Sequence, residues 1–293
     1  MRAKIKDPAN WLNSQIKEFL NGSPENSMQN VAREKAWDDF LLGFCAGDDA
    51  IYQLYKEEAI GPFHWTPAEV FNLHFPDKQA DPKELTVISY ILPQREITKA
   101  DNRKENKFPA ERWARARIFG EKVNAALRRR LVEALAEQGI DAVAPQLSPH
   151  WSRQVSHKYG FASSWSERHA AYAAGLGTFG LCDGLITPKG KAHRAGSVVA
   201  RIQIPSTPRP YRNHREYCLF FSRGTCKKCM ERCPAGAITE NGKDKEKCLA
   251  HLKPTTSDYV KEHYKFDGYG CGLCQTGVPC ESQIPIKVEG PAA

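Results

Sequence analysis

The sequence predicts an α+β protein in which an α/β core precedes a separate, cysteine-dense module. Three observations carry this. An apolar β-branched run, a long helical stripe and a second short apolar run stand in the order strand, helix, strand between residues 84 and 145. Eight of the ten cysteines lie beyond residue 210. A proline-rich stretch, PSTPRP at 205–210, divides the two regions. The expected division is 1–79, an N-terminal helical and irregular wrap; 80–210, the core; and 211–293, the module.

In chain order, Leu12, Ile16, Phe19 and Leu20 form one apolar stripe at helical spacing. The stretch AWDDFLLGFCAGDDAIYQLYKEEAIGPFHWTP mixes aromatic anchors with Gly and Asp turns, and reads as a segment laid over a core. ELTVISYILP at 84–93 is a buried strand stopped by Pro93. Pro109 opens a helix to about Gln138, its apolar face being Trp113, Ala116, Phe119, Val123, Leu127, Leu131 and Leu135; Gly139 ends it. IDAVAP is the second strand, and this order points to an α/β layer arrangement. SERHAAYAAGLGTFG, 166–180, starts a helix on a Ser cap and runs to a Gly-Leu-Gly turn. GLITPKG and GSVVARIQI are strands around a turn between Pro188 and Gly196.

A net charge of +8 fits nucleic acid or an anionic cofactor without selecting either. No apolar run approaches the length of a membrane span, and MRAKIKDPANWLN has neither an apolar h-region nor a twin arginine. The sequence therefore reads as cytoplasmic. Reduced thiols are the rule in that compartment, so dense cysteines there point to metal before disulfides.

GTCKKCMERCPAGAI, 224–238, reads C-x2-C-x3-C-P, one cysteine short of the bacterial iron–sulfur run. YGCGLCQTGVPCE adds Cys271-x2-Cys274-x5-Cys280, and Cys248 stands alone between the runs. Eight thiolates make two sets of four, as two 4Fe-4S clusters require. In two-cluster ferredoxins the cysteine before proline ligates the other cluster. That sends Cys233 to Cys248, Cys271 and Cys274, and Cys280 to Cys226 and Cys229, with Cys218 as the remaining ligand. Paired zinc sites are the rival reading, although zinc needs neither the C-P step nor interleaved ligands. A thioredoxin-like role for Cys226 and Cys229 is weaker, since no strand of a βαβ unit precedes them. Cys45 and Cys182 read as plain buried thiols.

SERHAAYAAGLGTFGLCDGLITPKG with the two cysteine runs resembles the epoxyqueuosine reductase and reductive dehalogenase superfamily, over residues of about 84 to 285. The resemblance implies a nitroreductase-like α/β core that holds cobalamin, and a ferredoxin-like domain whose two 4Fe-4S clusters deliver electrons to cobalt. It places Gly175, Leu176, Gly177 and Gly180 against the cofactor, where missing side chains admit a large ligand, with Ser197 and Val198 lining the same pocket. The chain departs from the family in three ways. Phe161 stands where epoxyqueuosine reductases carry an acidic residue, and neither their C-terminal repeat domain nor the dehalogenases' export signal is expected from the sequence. A short cytosolic relative with a different substrate is expected.

A reductase still needs a proton donor. Tyr159 and Tyr172 are candidates because a phenol donates while staying neutral, and His169 because imidazole titrates near neutrality. Glu167 and Arg168 read as an ion pair, the RRR at 128–130 as a solvated helix face, and His64 and His150 as packing beside Trp65 and Trp151. The leading function is a cobalamin-dependent oxidoreductase acting on a small organic molecule and fed by a donor such as a ferredoxin or flavodoxin. The alternatives are an electron-transfer or cobalamin-activating protein, and a tRNA epoxyqueuosine reductase-like enzyme, with tRNA not favoured.

Overall fold

A computed structural model describes residues 5–286 of the chain. Residues 1–4 and 287–293, the two ends of the expected divisions, lie outside it, as do the first four residues of the N-terminal stretch read for an export signal.

The core is one four-stranded sheet in the order Leu41–Ala46, Thr86–Pro93, His193–Ala200, Ala142–Val143, antiparallel at every pairing. Alternation along the central strands sends side chains to two layers. Ile88, Tyr90, Leu92 and Val198 pack with Leu12, Ile16 and Phe19 of the helix Pro8–Gly22 and with Val123, Leu127, Leu131 and Leu135 of the helix Glu111–Glu137. Val87, Ile91 and Val199 face the opposite layer, where Ala170, Ala171, Ala173 and Ala174 bring the helix Glu167–Ala173 close to the sheet. The alanines have a physical role there: without long side chains the helix backbone can lie near the strands.

Two expectations change. Residues 41–46 do not merely cover the core, because LLGFCA is an edge strand in register with Thr86–Ile91. Gly43 breaks its apolar pattern, and it does so because a Cβ there would meet the Ala174 carbonyl oxygen at 2.5 Å. PSTPRP, the expected boundary, lies along this same strand. Thr207 donates its N–H to the Phe44 carbonyl (3.0 Å), while its hydroxyl and that of Ser206 accept from Phe44 and Ala46. The segment thus protects the sheet edge. The turn expected between Pro188 and Gly196 closes earlier, at Thr187–Gly190, and Gly196 lies inside a strand.

The module is fixed to the core by polar clasps. Arg232 donates to the carbonyls of Leu273 and Thr276 on its own side, and to those of Asn102 and Glu105 at the end of the helix Glu96–Lys104. Asn102, fully buried, donates to the Cys271 carbonyl (3.2 Å) and accepts from the Ala110 N–H (3.0 Å). Gly272, at φ +66°, lies so close to the Trp113 indole that a Cβ would stand 1.9 Å from its ring. Gly272→Ala is therefore expected to lower stability by about 1–3 kcal/mol, through strain and a displaced Trp113. Chemical denaturation against the unmodified protein measures it, and an unchanged midpoint would contradict this packing.

Candidate metal centre

The cysteines sit on short turns that their neighbours hold in place. Cys218 precedes the helix Leu219–Arg223, which Gly224 ends in the left-handed region at φ +65°. Cys248 lies in the helix Lys245–Ala250, capped by Asp244, whose carboxylate accepts from the N–H groups of Glu246 and Lys247. Cys271 and Cys274 bracket the turn that Asn102 holds.

Cys233, Cys248, Cys271 and Cys274 line a single cavity of about 170 Å³ between module and core. Gln94, Arg117, His193, Arg194, Lys243 and His251 share its wall. Positive side chains from both parts of the protein thus face four thiols. Gln94 Oε1, His193 Nδ1 and His251 Nε2 are buried without a hydrogen-bond partner among the described residues. Buried polar atoms are normally satisfied, so orphans gathered on one wall point to a polar occupant. Burial pushes the Cys271 thiol up to about 11, so a metal would have to displace its proton. Among the described residues no group of three His, Cys, Asp or Glu side chains is placed to hold a single metal ion. A polynuclear iron–sulfur cluster, which is larger than an ion, anionic and thiolate-held, suits this donor set.

Cys218, Cys229 and Cys280 are buried together in a second nucleus with Leu181, Ile186 and Tyr217. Cys226 is half-buried on the turn that leads to Cys229. Sequence reasoning missed a further thiol. Cys182 is buried in this same nucleus, and Lys191 Nζ donates to its sulfur at 3.2 Å. The turn GLCDG gives no spacing signal for such a role, since only the fold brings residue 182 to the module.

The six residues assigned to a cofactor pocket are packed against protein. The space beside Gly175 is taken by the Pro208 carbonyl oxygen, 2.5 Å from where a Cβ would stand, and that beside Gly177 by the Ile186 carbonyl oxygen at 2.2 Å. Gly180 lies against the Ile186 side chain, and Leu176 and Val198 are in the core. Ser197 accepts from the Trp165 indole N–H (2.9 Å) and donates to the Glu167 carboxylate. In this conformation these residues do not fit a corrin.

Of the proton-donor candidates, the fold brings two together. His169 and Tyr172 both pack on Phe179, with ring centroids 4.9 and 5.8 Å away, and Tyr172 stacks on Tyr211. Tyr159 lies apart, exposed at the tip of the hairpin Arg153–Ser156/Gly160–Ser163 beneath Lys158. Phe161 is exposed on that hairpin, and its carbonyl accepts from Lys245 of the module (2.8 Å). Burial drives His169 well below its usual range and raises Tyr172. At neutral pH the imidazole is therefore uncharged while the phenol keeps its proton.

Glu167 and Arg168 do not pair. Arg168 donates to the Asp183 carbonyl, while Glu167 meets Arg128 at 3.1 Å. Arg128 is correspondingly buried and not on a solvated face; its neighbour Arg130 does face outward, pairing with Glu137. His64 packs as expected, stacked on Tyr55, but neither of its ring nitrogens has a partner among the described residues. His150 stands edge-on to His74.

No family model matches the chain. The epoxyqueuosine reductase of Bacillus anthracis is 32% identical over 119 residues, covering 39% of this chain and 29% of that protein. A tetrachloroethene reductive dehalogenase of Desulfitobacterium hafniense is 34% identical over 124 residues, 40% of this chain and 20% of that one. The chain is thus similar, over about two fifths of its length, to reductases of both kinds. Its likeness to both kinds is confined to part of the chain, and the match spans less than a third of either relative's length. Among solved structures, an epoxyqueuosine reductase with a tRNA-Tyr epoxyqueuosine-modified stem loop aligns over 95% of this chain and 68% of that one, with a TM-score of 0.47 and 15% identity. Among the described residues no helix is long and apolar enough to cross a membrane.

Proposed function

We propose that this protein is an iron–sulfur oxidoreductase whose C-terminal module is a ferredoxin-like domain carrying two 4Fe-4S clusters. One would be seated by Cys233, Cys248, Cys271 and Cys274, the other by Cys218, Cys226, Cys229 and Cys280. The observation that carries the reading is the cavity between core and module. The four cysteines that the ferredoxin exchange rule groups together, drawn from three separate stretches of sequence, line that one space together with Arg117, Arg194 and Lys243. The named activities of the relatives, both reductive, support an oxidoreductase class.

Within that class, cobalamin-dependent reduction of a small organic substrate is the finer reading, fed by a one-electron donor such as a ferredoxin or flavodoxin. A corrin would supply a low-valent cobalt centre as the acceptor of cluster electrons. The close packing at Gly175, Gly177 and Ser197 favours the second reading, in which electrons leave for a partner protein; a corrin would require that region to open. For the first reading, Tyr172, which keeps its proton, is the candidate donor beside His169. A tRNA substrate is the least supported, since the acidic position of the epoxyqueuosine reductases is the exposed Phe161.

Two measurements on the unmodified protein test this. Anaerobic purification should yield about eight irons per chain; stoichiometric zinc without iron would refute the cluster reading. Spectroscopic titration with cobalamin then decides between the two acceptors. A Gly177 variant is unsuitable for that purpose, because a side chain there collides with the Ile186 carbonyl and disturbs the core itself.

A further inference from the structure

The interior of the module holds a cation that the cluster assignment leaves unexplained. Lys191 is 3% exposed, and the charged groups that act on it most among the described residues are cysteines, not carboxylates. Its ammonium donates instead to the sulfur of Cys182, itself 2% exposed. Burying a lysine without compensating charge is costly, and an isolated one would shed its proton or find an anion.

The backbone shows that this placement is built. The turn Thr187–Gly190 folds tightly, with Thr187 Oγ1 donating to the Gly190 carbonyl at 2.8 Å. Gly190, at φ +77°, lies where a Cβ would stand 2.1 Å from the Glu281 carbonyl oxygen, so the turn rests directly on the segment after Cys280. The Lys191 N–H then donates to the Cys280 carbonyl (2.9 Å). Core and module are thereby pinned so that the lysine side chain points at the sulfurs. Cys182 is packed with Cys229 and Cys280, of the first proposed set, and touches Cys274, of the second.

We infer that Lys191, seated on Cys182, is a fixed counter-charge between the two clusters, a positioning residue that raises their reduction potentials, and that Cys182 is its seat and not a cluster ligand. Cluster potentials depend on net charge and on hydrogen bonds to sulfur. Reduction adds one negative charge, and a buried ammonium nearby stabilises that charge in surroundings where water cannot screen it. The inference rests on the cluster reading above, and iron analysis of the unmodified protein tests that reading separately.

The experiment is anaerobic redox titration, followed by EPR, with iron counted in every sample. Lys191→Met should retain its iron and show a lowered midpoint potential for at least one cluster, while Lys191→Arg, which keeps the charge, should stay near the unmodified value. Iron retained in Lys191→Met with both potentials unchanged would overturn the proposal. If Lys191→Met loses iron, Lys191→Arg must restore it; loss in both would mean that shape and not charge matters, and the proposal falls. Cys182→Ala should keep the full iron complement with an altered potential. Loss of half its iron would make Cys182 a ligand and overturn its assigned role.

Discussion

Cys233→Ala is expected to lose half the protein's iron, leaving about four atoms per chain, and to lose the same cluster that Cys271→Ala loses. The expectation is strict because Cys233 is only four residues from Cys229 in sequence. A local reading would pair them. Yet Cys233 lines the cavity with Cys248, Cys271 and Cys274 and only packs against the edge of the nucleus in which Cys229 is buried with Cys218 and Cys280. The separation follows from the chain's course: the short helix Lys228–Glu231 ends at Arg232, whose guanidinium is clamped on the carbonyls of Asn102, Glu105, Leu273 and Thr276. That clamp faces the next residue toward the core side of the module. Combining variants makes the test decisive. Cys233→Ala with Cys271→Ala should hold as much iron as either alone, whereas Cys233→Ala with Cys229→Ala should hold almost none. Additive loss in the first pair would refute the exchange of ligands.

The legible parts of this protein were those where period or spacing is itself the physical constraint. Leu12, Ile16, Phe19 and Leu20 recur at the helical interval and are all buried. The 84–93 run is buried on both faces from Thr86 to Pro93. The cysteine spacing held enough information to mark a module, because ligand chemistry fixes which residue types recur. What the sequence hid depends on contacts between distant segments. The strand Leu41–Ala46 is six residues with a glycine in its middle, and only its pairing with Thr86–Ile91 makes it a strand. Arg128 sits in a run of three arginines that pattern alone assigns to solvent, but its position on the helix points it at the sheet, where Glu167 awaits it. Cys182 and Lys191 come from two turns, either side of a two-residue strand, with no periodicity at all. For the glycines of 175–180 the residue type was informative and its cause was not: the missing side chains make room for Pro208 and Ile186 backbone.

The Arg128–Glu167 pair carries the largest expected effect on stability. Arg128 is 1% exposed, bridges Glu121 (3.2 Å) and Glu167 (3.1 Å), and donates to the Ala195 carbonyl of the central strand. Glu167 in turn accepts from Ser197, so one ion pair ties the long helix, the sheet and the helix Glu167–Ala173 together. Removing one partner of a buried pair leaves the other uncompensated and typically costs about 3–5 kcal/mol. Arg128→Met should cost that much, and Glu167→Gln somewhat less, because Glu121 still faces the guanidinium. The pair also gives stability a pH dependence with a definite sign. Burial, opposed by Arg128 and the Ser197 hydroxyl, pushes the Glu167 carboxyl up to about 7 from an ordinary 4.5. Between those values the folded chain binds the proton more tightly than the unfolded chain does. This contribution is therefore fully present below about pH 4.5 and is lost as pH rises through 7. Its size is on the order of 3 kcal/mol. Urea midpoints between pH 4.5 and 7.5 measure it against Glu167→Gln, which cannot titrate. The unmodified protein's midpoint should fall relative to the variant's across that window, and a difference that stays constant with pH would show that Glu167 is ionised throughout.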